Sequence, residues 1–289
     1  MKVLVIGGNR FFGKRLVALL LEQVGTEVTL LNRGRMNDGF ENRVARIKLD
    51  RQQLRPAHPA LENHRWDVVF DQVCYDAREA QSACETFNGR VGKLIFVSSQ
   101  SVYGPGPALP ESAFDPRAHS FGRAFTRDED YGEAKRQAEA VYFRAATFPV
   151  SAVRFPIVLG EDDYTERLKF HVDHILQGKP VFFPNLDARI SLIRSADAAL
   201  FLKALASSYA TGPINCCAQD PIPVRRIIET IEARTGKRAH IARRSDEGDD
   251  SPFGVERDWF MSTAKLTTYG FSAQPIDGWL AALIDRYMT

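Results

Sequence analysis

Near the start of the chain stand residues of the types that hold phosphate. The stretch VLVIGGNRFFGKRLVALLL, residues 3–21, places Gly7 and Gly8 directly after an apolar run and Gly13 six positions beyond Gly7. A pyrophosphate needs close backbone approach and amide donors at a helix N-terminus, and glycines in a strand-to-helix turn provide both. Gly7 and Gly8 supply the tight turn, and Gly13 the close helix–strand contact. Arg10 stands midway between Gly7 and Gly13, where a third glycine is usual. It removes one point of closest approach and adds a cation beside the phosphates. Further on, the second apolar run ends in VTLLNRGR. Sites specific for NAD place an acid about 20 residues after the turn, for the ribose hydroxyls. Here that position is Asn32, followed by Arg33 and Arg35. A carboxylate repels a 2′-phosphate, whereas guanidinium groups grip it. The expected cofactor is therefore NADP(H) in preference to NAD(H). The competing reading leaves Arg33 and Arg35 as ordinary surface charges.

A second set lies in DEDYGEAKRQAEAVYF, where Tyr131 and Lys135 stand four apart among good helix formers. That spacing puts a phenol and an ammonium on one helical face. The pair alone is weak evidence, because Lys135 equally suits an exposed ion pair with Glu139, four residues on. Its place counts for more: it follows the serine-rich strand end FVSSQSVYG.

These residues need a scaffold of alternating strands and helices. Strand candidates are Val3–Ile6, Val28–Leu31, the ARIKLDR segment, Val68–Phe70, Leu94–Val97 and Val150–Phe155. Most are near-continuous apolar runs, as expected of strands buried on both faces of a parallel sheet. The first helix carries Phe12, Leu16, Leu20 and Val24 at four-residue spacing, with Gly25 as its stop. The alternation predicts right-handed βαβ units and an α/β fold, a Rossmann-type doubly wound parallel sheet. Beyond Gly160 the pattern loosens into shorter helices and strands, one helix beginning at Ser195 as N-cap. The expected plan is a dinucleotide domain over 1–160 and a smaller C-terminal substrate lobe over 161–289 that closes a cleft. Segments at about 190–217 return to the first domain. RRSDEGDDSPFG, residues 243–254, reads as a solvated connection.

Composition bounds the function classes. The 289 residues are 44% apolar and 26% charged, those of an ordinary globular protein. With 38 basic and 36 acidic residues the net charge is +2, which argues against nucleic acid as a partner. The apolar start reads as a first strand, not a signal peptide. No run approaches the roughly 18 apolar residues of a membrane span. Cys74, Cys84, Cys216 and Cys217 lack CxxC spacing and are expected to be reduced core thiols of a cytoplasmic protein. In KFHVDHIL, His171 and His174 stand three apart, but no third ligand accompanies them, so helix-surface histidines and no metal are expected. Asp162 and Asp163 read as a polar loop at a strand end.

GGNRFFG, DVVFD, FVSSQSVYG, YGEAK and VRFPIVLG occur in this order. Together they resemble the extended or atypical short-chain dehydrogenase/reductases, in the NAD-dependent epimerase/dehydratase branch, over residues 1 to about 217. GGNRFFG resembles the GGTRFxG turn of an atypical subgroup, in which an arginine at the place of Arg10 is normal. The resemblance implies that Tyr131 is the acid/base that moves a hydroxyl proton as hydride leaves its carbon. A tyrosine with a pKa of about 10 needs help at neutral pH, and Lys135 and the cofactor's positive ring supply it. Lys135 would also hold the nicotinamide ribose, and Ser99 would hydrogen-bond the reacting oxygen, ahead of Ser98 and Ser101. Cofactor contacts carry over to Gly7, Gly8, Arg10, Phe11, Phe12, Gly13 and Asn32, with Arg33 and Arg35 at the ribose. They extend to Asp50 at the adenine, to the backbone of Gln72, Val73 and Cys74, and to Phe155 and Pro156 near the nicotinamide.

Two departures narrow the activity. Dehydratases of this branch carry Asp-Glu after the catalytic Ser/Thr, where this chain has Gln100-Ser101. Nucleotide-sugar epimerases usually have Asn where this chain has Ile157. The expectation is an NAD(P)-dependent oxidoreductase or epimerase-like enzyme acting on a hydroxyl or carbonyl of a small polar metabolite such as a sugar derivative. A homodimer is compatible with this reading. The alternative is a non-catalytic Rossmann protein that binds RNA or senses NADP(H).

Overall fold

Apolar runs of four to nine residues become the strands of one sheet. In the computed structural model, which describes residues 1–288, these are β1 (Lys2–Ile6), β2 (Glu27–Asn32), β3 (Ala45–Lys48), β4 (Trp66–Asp71) and β5 (Val91–Ser99). The strands Val150–Phe155 and Gly212–Asn215 complete a seven-stranded sheet. Its order is Gly212–Asn215, Val150–Phe155, β5, β4, β1, β2, β3, and every pairing is parallel. Parallel neighbours need crossover connections. The chain leaves β1 in one direction to β2 and β3, then returns to β4 on the other side. That reversal opens a crevice beyond the carboxyl ends of β1 and β4, where such sheets bind ligands.

The residues fall into two units. The first comprises Met1–Tyr103, Glu111–Phe155 and Ala198–Cys216, and contains the whole seven-stranded sheet. Its helices include α1 (Phe11–Leu21), α2 (Ala77–Phe87) and α3 (Tyr131–Ala145). Leu4, Ile6, Val69, Leu94 and Phe96 from the sheet meet Phe87, Ala138 and Tyr142 from the helices in one core. Each large side chain so buried contributes about 1.5–3 kcal/mol. Asp-x-x-Glu starts both α2 and α3: Asp76 accepts the Glu79 amide and Asp130 that of Glu133, each at 2.9 Å. These caps fix where the two helices begin.

The second unit comprises Gly104–Pro110, Pro156–Asp197 and the residues from Cys217 onward. It holds α4 (Arg167–Gln177) and α6 (Val224–Thr235), while α5 (Ser195–Ala206) spans the boundary between the two sets of residues. Leu168, Val172, Ile227, Ile231, Trp279 and Ile284 are among its core residues. Gly178 and Gly236 end α4 and α6 in left-handed conformation, as glycine does at helix ends.

Three local expectations differ from the structure. Helix α1 stops at Leu21: the Glu22 amide still reaches Ala18 O at 3.3 Å, but the Gln23 amide turns to Leu20 O at 3.2 Å, so Val24 lies outside the helix and is fully exposed. Asp50 is not a strand end: β3 closes at Lys48, and Asp50 caps the short 3-10 turn Arg51–Gln53 by accepting the Gln52 amide. Residues 243–254 are not a loose connection, since Asp249, Ser251 and Phe253 are buried there. No helix among the described residues is long and apolar enough to cross a membrane.

Candidate active site

The glycine turn at the end of β1 has the backbone its sequence calls for. Gly7 and Gly8 adopt φ of +99° and +75°, and the Gly7 amide donates to Leu31 at 2.9 Å. The two other consequences of lacking a side chain differ. A Cβ on Gly8 would lie 2.8 Å from Val5 Cγ1, so that glycine serves the core. One on Gly13 would lie 2.3 Å from Gln72 Oε1, so that glycine leaves room for a side chain at the end of β4. Arg10 precedes α1, and no side chain caps this helix. Its positive pole is thus turned toward the turn, as an anion site requires. Phe11 opens α1 at φ +49°, a conformation that costs a residue bearing a side chain. Phe12 packs edge-on to Phe11, at 5.5 Å, and tilted against Phe155, at 5.6 Å between centroids.

At the end of β2, Asn32 is half-buried and already engaged: its amide donates to Gly7 at 3.3 Å and accepts from Gly34 at 2.9 Å. Arg33 and Arg35 are exposed, and Arg10 Nε donates to Met36 Sδ. The nearby carboxylate, Asp38, is taken up by Arg46 through two bonds of 2.8 and 2.7 Å, which hold its pKa low. Arg33 and Arg35 thus put exposed positive charge at the edge of the turn.

The buried Gln72 Nε2 has no partner. It sits beside the Gly13 cradle, and an unmatched buried donor costs about 1–3 kcal/mol. A dinucleotide held over the glycine turn would bring acceptors to that corner. These residues fit such a cofactor.

Tyr131, Lys135 and Ser99 come from two neighbouring elements. Tyr131 is the first residue of α3 and 40% exposed; Lys135, one turn on, is 2% exposed. The Lys135 ammonium donates to Cys74 O at 2.6 Å and Val97 O at 2.9 Å, and lies over the rings of Phe96, Tyr75 and Tyr131 at 4.7, 4.9 and 5.9 Å from their centroids. With three donors on an ammonium, one remains for a ligand. Ser99 ends β5, two residues after Val97. Its hydroxyl accepts the Ser101 amide at 3.1 Å and donates to Ser101 Oγ at 3.2 Å. Gly132 lets the first turn of α3 lie against this serine loop: a Cβ there would meet Ser101 O at 2.7 Å. The sequence reading overlooked Gly132, although a glycine in a helical first turn is itself a sign of close approach. The exposed Lys135–Glu139 ion pair is not formed. Glu139 is buried, with Ser98 Oγ at 2.5 Å and Arg154 as partners.

Gln72, Val73 and Cys74 follow β4, and Phe155 closes its strand; Pro156 opens the second unit's next segment. Cys74 is buried, which pushes its thiol up to about 12, and none of the four cysteines is in a disulfide. Asp163 is buried, and its carboxylate takes the Thr165 amide and hydroxyl at 2.9 and 2.6 Å. His171 is not on the surface. It is fully buried, stacked on Phe253 at 4.5 Å and bonded to Ser251 Oγ at 2.7 Å, and burial pushes its pKa down to about 3. No cluster of three or more metal-ligating side chains occurs among the described residues. A cavity of about 710 Å³ lies at the other end of the sheet, where the strands begin at Val150 and Gly212. It holds none of the residues just described.

The family model for the NAD dependent epimerase/dehydratase family matches residues 3–217. The chain belongs to that family. No curated protein sequence matches the chain. Among solved structures, the chain is similar to a UDP-glucuronic acid 4-epimerase from Bacillus cereus in complex with NAD, at TM-score 0.76 and 18% identity, covering 99% of this chain and 96% of that one. It is also similar to MoeE5 in complex with UDP-glucose and NAD, at 0.74 and 20%, covering 100% and 99%. A dTDP-glucose 4,6-dehydratase from Bacillus anthracis in complex with NAD matches at 0.72 and 18%, covering 100% and 96%. These likenesses show that the chain shares the fold of those three proteins.

Proposed function

We propose that this family member is an NAD(P)-dependent oxidoreductase or epimerase acting on a hydroxyl or carbonyl of a sugar derivative. The observation that carries the reading is Lys135, a buried ammonium held by two carbonyls one helical turn below the half-exposed Tyr131, with the serine loop packed on the same turn. The cofactor, held at the glycine turn, would accept or return hydride. The chain's own part is proton management and orientation. Tyr131 takes or gives the proton of the reacting hydroxyl. Lys135, its ammonium 5.9 Å from the centre of the Tyr131 ring, has a third N–H available to a ribose hydroxyl. Ser99 turns its one hydroxyl proton from Ser101 Oγ to the reacting oxygen. With Gln100-Ser101 in place of two acids, elimination of water lacks its acid/base pair, so redox or epimerisation is favoured over dehydration. Ile157, apolar where nucleotide-sugar epimerases carry Asn, favours a small sugar derivative over the UDP-sugars bound by the neighbours. We place the 2′-phosphate of NADP(H) against Arg33 and Arg35, and propose NADP(H) as the preferred cofactor.

The test is turnover of a panel of free sugars, sugar phosphates and UDP-sugars with each cofactor, read as absorbance at 340 nm for net oxidation or reduction and as the product's proton NMR spectrum for epimerisation, which changes neither the cofactor's net state nor the product mass. Tyr131→Phe is expected to abolish turnover while cofactor affinity stays within about twofold. Equal turnover by parent and variant overturns the mechanism.

A further inference from the structure

Asp71 closes the DVVFD stretch, and the redox reading gives it no task. Its carboxylate is fully buried. Tyr142 and Arg51 Nη2 both donate to Oδ2 at 2.6 Å, and the Val73 amide reaches Oδ1 at 3.4 Å. The cluster thus joins the exit of β3 (Arg51), the end of β4 (Asp71) and the second half of α3 (Tyr142).

Stability gives no reason for this arrangement. Buried ion pairs roughly break even against well-packed apolar side chains. This one is also incompletely matched: Arg51 Nε and Nη1 have no hydrogen-bond partner, and Glu79 Oε2 stands 3.9 Å from Nε. What the cluster does provide is a fixed point. Tyr131, Lys135, Ala138 and Tyr142 follow the 4-3-4 spacing that lines one face of α3. Lys135 bonds Cys74 O and Tyr142 bonds Asp71, so α3 is fastened to the same end of β4 at two points two turns apart. Those points are separated by about 10 Å along the axis. One bond would locate a point on the helix. Two bonds, so spaced, fix both its slide and its roll, because either motion lengthens at least one of them.

We propose that Tyr142, Asp71 and Arg51 are positioning residues: they set the axial register of α3 against β4, and through it where Tyr131 and Lys135, both carried by α3, stand against Ser99 at the end of β5. The proposal rests on the redox reading for its consequence in turnover, but its geometric content stands apart.

The test uses Tyr142→Phe in the full chain, which removes one hydroxyl and keeps the ring. Misplacement of a reacting group by a fraction of an ångström to 1 Å costs up to about a hundredfold in rate. A fall in kcat of about tenfold is expected, with KM and cofactor affinity within about twofold. Ile284→Val, a comparable core loss in the second unit, should leave kcat unchanged. Where Tyr142→Phe fails to fold, Arg51→Gln takes its place with the same expectations. An unchanged kcat, or a fall in kcat that Ile284→Val matches, overturns the proposal. If the parent turns over nothing in the panel, the redox reading fails. The register claim is then decided by the Lys135 ζ-nitrogen resonance, which should shift in Tyr142→Phe and not in Ile284→Val; no shift overturns it.

Discussion

Glu139 Oε2 and Arg154 Nη2 lie 2.6 Å apart, and neither side chain has any exposed surface. The pair is fully provided with partners. Ser98 Oγ and Arg154 Nε reach Glu139 Oε1 at 2.5 and 3.0 Å, and Arg154 Nη1 donates to the Tyr103 hydroxyl and Glu111 O at 2.6 and 2.9 Å. Tyr103 in turn donates to Asn215 at 2.7 Å. Each member adjoins a candidate site residue: Ser98 precedes Ser99, Glu139 lies one turn beyond Lys135, and Arg154 precedes Phe155.

Removing one partner leaves the other charge buried. Glu139→Gln is therefore expected to destabilise the first unit by about 3–5 kcal/mol. Replacing both, Glu139→Leu with Arg154→Met, is expected to restore most of that loss. Urea unfolding of the parent and both variants decides it; a cost below about 1 kcal/mol for Glu139→Gln would place the pair with exposed ones.

The two glycines of the turn separate fold from binding. Gly8→Ala forces a Cβ against Val5 at positive φ and is expected to lower stability by about 1–3 kcal/mol. Gly13→Ala instead meets only the far end of the Gln72 side chain. It is expected to leave the unfolding midpoint nearly unchanged and to weaken dinucleotide binding by about tenfold, or about 1.4 kcal/mol. Calorimetric titration and thermal unfolding of both variants read this contrast, and Gly13→Ala combined with Gln72→Ala should regain affinity.

Cofactor choice follows from the charges at the end of β2. A 2′-phosphate gains charge-assisted hydrogen bonds from arginine, reduced by solvent at this exposed edge, so a preference for NADP(H) of roughly tenfold is expected. Arg33→Ala should erase most of it with little effect on NAD(H). If Arg10 is the ligand instead, Arg33→Ala is silent and Arg10→Ala is not. Equal affinity of the parent for both cofactors refutes the preference.

His171 gives stability a pH dependence. Its folded pKa is depressed to about 3 from an ordinary 6.5 by burial. The unfolded chain therefore binds the proton first, and the stabilisation present above about pH 6.5 is lost as pH falls toward 3. The loss is about 1.4 kcal/mol per pH unit inside that window. The urea midpoint of the parent should fall between pH 6.5 and 4.5 more steeply than that of His171→Leu; parallel slopes would remove His171 as the cause.

How much was legible in the sequence differs by element. β1, β4, β5 and Val150–Phe155 were readable because strands buried on both faces leave unbroken apolar runs. The turn was readable because few residues other than glycine suit its backbone. The Tyr131–Lys135 face followed from helical spacing. What lay hidden were long-range polar contacts. Nothing local in the sequence says that Tyr142 meets Asp71, or Glu139 meets Arg154, since those partners are brought together only by the crossovers. A trace existed nonetheless: Arg154 is a lone charge inside an apolar strand, and a charge so placed must be answered by another. His171 was misread because a polar residue on an amphipathic helix looks exposed until Ser251 and Phe253 are packed over it.

The buried thiols have a practical consequence. With Cys74, Cys84, Cys216 and Cys217 all shielded in the folded chain, a thiol reagent added from outside reacts only as fast as the protein breathes. Cys74 follows β4, where its carbonyl anchors Lys135, so its labelling rate becomes a clock for how often the floor of the proposed cofactor crevice opens. Peptide mass mapping distinguishes that event from opening elsewhere, and a bound dinucleotide should slow that clock while leaving the other three cysteines to keep their own time.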